Sequence, residues 1–332
     1  MKKRRSWLSR RLPYIYGAFI IIGFLLIDWA GYDLLLPDPA PYRYELVAEG
    51  NITSFPDLAL SVPLDLGLRK FEARLDADGT PFAELYVADL GPEVAPVLLD
   101  WQNRSSELQL VIPSRTKDLD ELLNAVRAHV PEDALMLGWW ETTRQLHALT
   151  GVNILFDENF PRPLFIPPAW ESELSGIESL ERVFWRISEK NTANSGKFID
   201  ALASEAEAGS KILKEIAGSR RCFIVVQLSD AYKLSLTRPN RVGVGFRDFP
   251  AGGDIHDEII QVKNWLDKQD LRDYAVESVG LVKKRVYYLE NIQTAKTLLV
   301  QMLPFGNFDP LKLSGLKLVA NYGSYWVYEL EQ

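Results

Sequence analysis

One cysteine, three histidines and three methionines stand in 332 residues, and these scarcities exclude whole classes of protein. A single thiol, Cys222, closes no internal disulfide, and without a Cys-x-x-Cys-His segment there is no c-type haem attachment point. Cys222 opens the apolar run Cys222-Phe223-Ile224-Val225-Val226 and reads as a small buried hydrophobe. Three histidines leave few candidates for a His-rich metal centre or a catalytic triad, and no His-Glu-x-x-His pair occurs. Walker A and Gly-x-Ser-x-Gly segments are missing too. Gly243-Val244-Gly245 lacks the third glycine of a dinucleotide fingerprint. The sequence therefore predicts no metal, no cofactor and no assigned catalytic residue, which favours a non-catalytic protein over an enzyme.

Positive charge is unevenly spread. Lys2, Lys3, Arg4, Arg5, Arg10 and Arg11 crowd the first residues, whereas Pro13 to Leu36 contains no Lys or Arg. At 1.5 Å per residue this run can cross a hydrocarbon core of about 30 Å. A basic flank ahead of an apolar run places the N-terminus in the cytoplasm and carries the remainder across. A cleaved signal peptide is the competing reading. The length of the apolar stretch, the lack of a small-x-small site close behind it, and the aromatic girdle of Tyr14, Tyr16, Trp29 and Tyr32 favour an uncleaved anchor. The expected location is the inner membrane, in a single pass, with the C-terminal region in the periplasm. Six of the 37 basic residues stay inside, which leaves 31 against 45 acidic ones, a net of −14. That balance argues against nucleic acid as a partner and suits a basic protein surface.

The chain then divides into a cytoplasmic tail (1–12), the anchor (13–36), a stiff spacer with Pro37, Pro39 and Pro41 (37–41), a β-rich segment (42–115) and an α/β domain (116–332). The expected fold class is mixed α/β. In the β-rich segment, Phe71, Ala73 and Leu75 alternate with charges, Asp78-Gly79 offers a hairpin turn into Phe82–Ala88, and Val97–Leu99 and Leu108–Ile112 read as further strands. From Asp118 the period becomes helical, with Asp118 and Glu121 spaced as a capping box. A buried strand at Ala134–Leu137 leads to a helix from Glu141 to Leu149, closed by Gly151. Further on, the pattern predicts a proline-rich loop (Phe160–Trp170), a helix over Ser195–Ala217 interrupted at Gly209, and a strand at Phe223–Leu228. A helix behind Gly252-Gly253 follows, capped by Asp254, with Ile255, Ile259, Val262 and Leu266 inward. Strands at Val276–Gly280 and Val286–Leu289, a helix from Asn291 to Met302 and a terminal hairpin (Leu316–Ala320, Tyr325–Leu330) complete the pattern.

The most unusual segment runs from Asp133 to His147. A strand ending near Gly138 with a helix starting near Glu141 sets Trp139, Trp140, Glu141, Arg144 and His147 at a strand's carboxyl edge, where open α/β sheets bind ligands. Arg144 and the unpaired N–H groups of the helix start can hold an anion, which makes these five the candidate ligand or partner site. The alternative is packing: the tryptophans fill the sheet–helix junction, Glu141 pairs with Arg144, and His147 is a surface residue. Asp254-Ile255-His256-Asp257-Glu258 points in several directions on a helix and reads as a charged helix start rather than a metal cluster. His129 reads as a helix C-terminal contact. Asn51-Ile52-Thr53 and Asn103-Arg104-Ser105 match the glycosylation sequon.

The segment Asp133–Glu141 resembles the Trp-Trp-Asp region in the soluble domain of oligosaccharyltransferase catalytic subunits. Here Glu141 stands in place of Asp, Thr142-Thr143 follow in place of Tyr-Gly, and one span cannot house that family's multi-span active site. By length, single anchor and the stretch Gly138–Leu146 continuing to Leu149-Thr150-Gly151, the chain resembles the HaoB family of nitrifying and methane-oxidising bacteria. That resemblance implies an accessory role in hydroxylamine oxidation beside hydroxylamine oxidoreductase, a periplasmic multihaem enzyme, or an associated cytochrome, and supplies no catalytic residues. A ligand-binding or enzymatic domain using the Trp139–His147 segment, and a sensor or scaffold, are the other readings.

Overall fold

Among the described residues, strand and helix patterning produces three sheets and the helices that cover them. The computed structural model describes residues 21–24 and 38–331, apart from 59, 62, 93, 105–109, 113–115, 157–162, 188–191, 252–253 and 280–282, and 307–308. The predicted anchor at Pro13–Leu36 falls outside the described residues except for 21–24, which are helical and leave Ile21, Ile22 and Phe24 exposed. Among the described residues no helix is long and apolar enough to cross a membrane.

The first sheet is an antiparallel meander of β1 (Tyr42–Gly50), β2 (Gly67–Leu75), β3 (Pro81–Asp89) and β4 (Val97–Asn103). The predicted turn at Asp78-Gly79 joins β2 to β3, with Gly79 at φ 72°, where a side chain would be strained. The expected strand at Leu108–Ile112 does not continue the sheet: Leu110–Ile112 is irregular, and Leu108 and Gln109 lie outside the described residues. Leu110 and Ile112 are nonetheless buried, so these two pack without strand pairing.

The central sheet has the order β11-β12-β7-β5-β6. Its parallel core is β5 (Leu135–Gly138) flanked by β6 (Asn153–Ile154) and β7 (Cys222–Gln227). β12 (Tyr325–Leu330) runs antiparallel to β7 and carries β11 (Leu316–Tyr322), as the predicted terminal hairpin. Alternation along β7 sends Phe223 and Val225 to one face and Cys222, Ile224 and Val226 to the other, and both faces are buried. On the first face lie α1 (Thr116–His129), α2 (Trp140–Thr150) and the meander, since Leu119, Leu122, Leu146, Tyr86 and Leu99 share one core with Met136. On the second face α4 (Thr192–Leu202), α5 (Ala206–Ala217) and α6 (Leu228–Thr237) pack on Leu135, Leu137 and Ile224. Each such fully buried aliphatic side chain contributes about 1.5–3 kcal/mol. The other face of the meander is closed by α3 (Leu174–Phe184), through Ile177 and the following Trp185.

A third sheet, in the order β8-β10-β9, contains β8 (Val244–Pro250), β9 (Tyr274–Val279) and β10 (Lys283–Leu289). Its cover is α7 (Ile255–Lys268), packed through Val262 and Leu266 on Phe249 and Val286. The glycines of the Gly-Val-Gly segment serve this sheet: a side chain on Gly245 would overlap the ring of Tyr288, its cross-strand neighbour.

Several local expectations are corrected. Asp118 is not an N-cap, because α1 starts at Thr116; its carboxylate instead accepts the Ser324 N–H at 3.0 Å, stapling α1 to the turn between β11 and β12. The break in the Ser195–Ala217 helix falls at 203–205, not at Gly209, which lies inside α5. A side chain on Gly209 would overlap the Ala201 carbonyl oxygen, so this glycine allows close helix approach. Asp254 caps α7 through the His256 N–H, yet Ile259 points outward with 45 % of its surface exposed; the Gly252-Gly253 pair lies outside the described residues. Asn291 to Met302 is not one helix: a 3-10 turn at Thr294–Lys296 and a single helical turn, α8 (Leu298–Gln301), replace it. Asn51 and Asn103 both hold local structure, accepting from Thr53 and from the Trp101 indole.

Candidate functional site

Two parallel strands that end at the same edge build the site. β5 and β7 pair in register through Gly138 and Val225, and each turns at once into a helix, β5 into α2 and β7 into α6. Gly138 is required for the turn, because a Cβ there would stand 2.7 Å from the Val225 carbonyl oxygen. Gln227 and Asp230 form a reciprocal capping box at the start of α6, and the Gln227 amide donates to Thr142 Oγ1 at 3.3 Å, tying the two helix starts together.

Trp139 and Trp140 are both buried, with ring centroids 4.4 Å apart. Trp139 lies in the core on the α4 and α5 side of the sheet, and its indole N–H, buried with it, has no hydrogen-bond partner. Glu141 sits on the first turn of α2 and accepts a hydrogen bond of 2.6 Å from the ammonium of Lys233, which α6 brings across. Pairing of Glu141 with Arg144, the packing alternative, is thus replaced by a partner 92 residues away. Lys233 is 2 % exposed, lies 3.4 Å from Asp230 Oδ1 and stands 5.7 Å from the centre of the Trp139 ring. Two carboxylates thus face one buried ammonium. Burial pushes the Asp230 carboxyl up to about 6, with Lys233 opposing that rise. Burial alone would depress the Lys233 ammonium, but Glu141 and Asp230 more than offset it and hold the lysine above its ordinary value.

Arg144 is also buried, and its guanidinium donates to the carbonyls of Ala95 and Pro96 at 3.0 and 2.8 Å. With Gln145, which donates to Leu98 O at 3.0 Å, it clamps the start of β4 onto α2. His147 does not join the group: it is exposed, further along α2, and its Nδ1 meets the Val152 carbonyl at 2.8 Å.

Two cavities flank Glu141. The larger, of about 50 Å³, opens between β4, α2 and the 163–164 loop, with Trp140, Arg144, Glu181, Trp185 and Tyr44 among its walls. The smaller, of about 20 Å³, is lined by Asp100, Thr142, Gln145, Gln227 and Lys233 and suits one or two waters. Glu181, which sequence reasoning missed, accepts from Tyr42 OH at 2.5 Å, Tyr44 OH at 2.8 Å and the Trp185 indole at 2.7 Å, while burial raises its carboxyl above the usual range. The signal for it was present: Glu181 falls on the apolar stripe of α3 with Ile177, Leu180 and Phe184, where an acid needs partners. Lys233 and Asp230, at spacing three directly after a buried strand, were the other missed pair. Cys222 is buried, and its thiol is pushed up to about 12 by burial.

Fold and site together define an α/β protein with a small polar cleft at the carboxyl edge of two parallel strands, held by a buried lysine–carboxylate cluster. The chain belongs to the HaoB family, whose model, described as HaoA-associated protein HaoB, matches residues 9–330. Among solved structures it is similar to the C-terminal domain of C. jejuni PglB, with 10 % identity and a TM-score of 0.37 over 64 % of this chain and 99 % of that one. It is also similar to the C-terminal globular domain of oligosaccharyltransferase from Archaeoglobus fulgidus, with 14 % identity and a TM-score of 0.32 over 66 % of this chain and 99 % of that one. No curated protein matches the chain.

Proposed function

We propose that this protein is an accessory to hydroxylamine oxidation that works by contact with hydroxylamine oxidoreductase or an associated cytochrome, from a position anchored on the periplasmic face of the inner membrane. The observation that carries the reading is the family match over residues 9–330 under the description HaoA-associated. The anchor and its orientation are supported by the six basic residues ahead of the Lys- and Arg-free run from Pro13 to Leu36, and by the exposed apolar side chains of Ile21, Ile22 and Phe24 in the helical turn at 21–24. The acidic exterior suits a basic partner surface. A deletion strain tests it: hydroxylamine oxidoreductase should lose haem content, abundance or membrane association, and unchanged values for all three would count against the accessory role.

The two cavities around Glu141 favour a second reading, in which Trp140, Glu141 and Arg144 bind a small polar ligand. Glu141→Gln keeps the shape of the site and removes its charge. Loss of function at unchanged melting temperature would support ligand binding, and loss that tracks stability alone would reduce the cluster to packing.

A further inference from the structure

The larger cavity beside Glu141 joins elements that are distant in the chain. Tyr44 reaches it from β1, Trp140, Glu141 and Arg144 from α2, and Glu181 and Trp185 from α3 and the residue that follows it. Both tryptophans and Glu181 are buried, and the Tyr44 and Trp185 rings meet edge to face at 6.4 Å. At about 50 Å³ the space admits a molecule of roughly three to five non-hydrogen atoms, since a single water takes about 10–15 Å³.

The charges around this space determine what it admits. Arg144, the guanidinium on its wall, is engaged by the Ala95 and Pro96 carbonyls at 3.0 and 2.8 Å. Glu141 gives Oε2 to the Lys233 ammonium at 2.6 Å, while its Oε1 accepts from no described residue. Glu181 Oε1 takes both tyrosine hydroxyls and Oε2 only the Trp185 indole, so Oε2 keeps a lone pair. Among the described residues around the two cavities, the carboxylates of Glu141, Glu181, Asp230 and Asp100 outnumber the cations of Arg144 and Lys233, which leaves negative charge in excess. The chain supplies its own example of what such a wall holds. The Lys233 ammonium lies 5.7 Å from the centre of the Trp139 ring and faces Glu141 and Asp230 at 2.6 and 3.4 Å. The larger cavity repeats that surround, with the rings of Trp140 and Trp185 and the carboxylates of Glu141 and Glu181.

We infer that this cavity binds a small primary ammonium of about the size of methylammonium, which donates to Glu141 Oε1 and Glu181 Oε2 and sets its positive charge against the aromatic walls. The inference rests on the reading that the cavity takes a small polar ligand, and it assigns that ligand's charge. An anion would meet two acids and a guanidinium already bonded to backbone, which reverses the expectation from the sequence that Arg144 holds an anion. Amines with large substituents exceed the space.

The test uses the full chain in detergent at constant ionic strength. Isothermal titration with methylammonium chloride should give a saturable heat, with tetraethylammonium chloride and sodium formate each weaker by at least about tenfold. Glu141→Gln, which keeps the shape of the site, should weaken methylammonium by about tenfold or more. NMR of the indole N–H groups in the wild-type chain locates the ligand without any substitution: the Trp140 and Trp185 signals should shift on saturation, while that of Trp265, in the third sheet's own core, stays in place. Binding of methylammonium that Glu141→Gln leaves unchanged, or that moves neither Trp140 nor Trp185, would overturn the site. Formate bound more tightly and moving the same two indoles would overturn the ammonium assignment and preserve the small-ligand reading. No binding by any of the three compounds would overturn both.

Discussion

Replacing Lys233 with methionine isolates the cluster that organises the site. The substitution keeps the length of the side chain and its packing against Trp139, and removes the one ammonium that faces Glu141 and Asp230. Breaking a buried ion pair by deleting one partner costs about 3–5 kcal/mol, because the remaining charge is left uncompensated. In a domain of this size that lowers the melting temperature by roughly 10 °C. Asp230 should respond as well: with Lys233 gone, its carboxyl rises further above 6. Combining K233M with Asp230→Asn and Glu141→Gln should recover most of the loss, since a cluster made neutral throughout leaves no orphaned charge. Urea unfolding of wild type, K233M and the triple variant, with carboxyl titration followed by carbon NMR, provides the assay. A K233M cost below about 1 kcal/mol, or no recovery in the triple variant, would refute the coupling inferred from the 2.6 and 3.4 Å contacts.

Other outcomes follow from the same geometry. Because the folded carboxyl of Asp230 sits at about 6, above its unfolded value, its contribution to stability is present in full below about pH 4 and is lost as pH rises through 6. Two units correspond to about 3 kcal/mol, so wild type measured against D230N should lose stability by an amount of that order between pH 4 and 7. Glu181→Ala should cost about 3 kcal/mol or more by orphaning Tyr42, Tyr44 and Trp185, and E181Q should cost clearly less; equal costs in urea unfolding would contradict the three-donor arrangement. Gly138→Ala should destabilise by about 1–3 kcal/mol through contact with Val225, and a neutral effect would show that the strand edge yields. Cys222 should resist a thiol reagent at pH 8 until the chain unfolds, and rapid labelling of folded protein would contradict its burial.

Elements with regular periodicity were legible in the sequence. The β2–β3 hairpin, the strand–helix unit from β5 to α2 with its Gly151 cap, and the terminal hairpin follow from alternation, turn residues and helical spacing. Failures came where tertiary contact overrides local pattern. Asp118 carries a capping signature, but the Ser324 amide claims its carboxylate across 206 residues. Gly209 reads as a breaker, but α5 keeps it to approach α4. The strand β8 and helix α6 went unread because Gly-Val-Gly and a short polar helix carry weak periodic signals. In the candidate site, Trp140, Glu141 and Arg144 line one cavity and Trp139 lies against Trp140, whereas His147, on the same helix, meets the Val152 carbonyl. Their partners Lys233, Asp230 and Glu181 come from helices that no local window joins to α2.

The central claim is contact with the hydroxylamine-oxidising enzyme at the membrane. Affinity capture of the tagged full chain from crosslinked, detergent-solubilised membranes, followed by haem staining and mass spectrometry, tests it most directly. The account predicts hydroxylamine oxidoreductase or its cytochrome partner enriched with the chain over an untagged control. Neither protein rising above that control would contradict it.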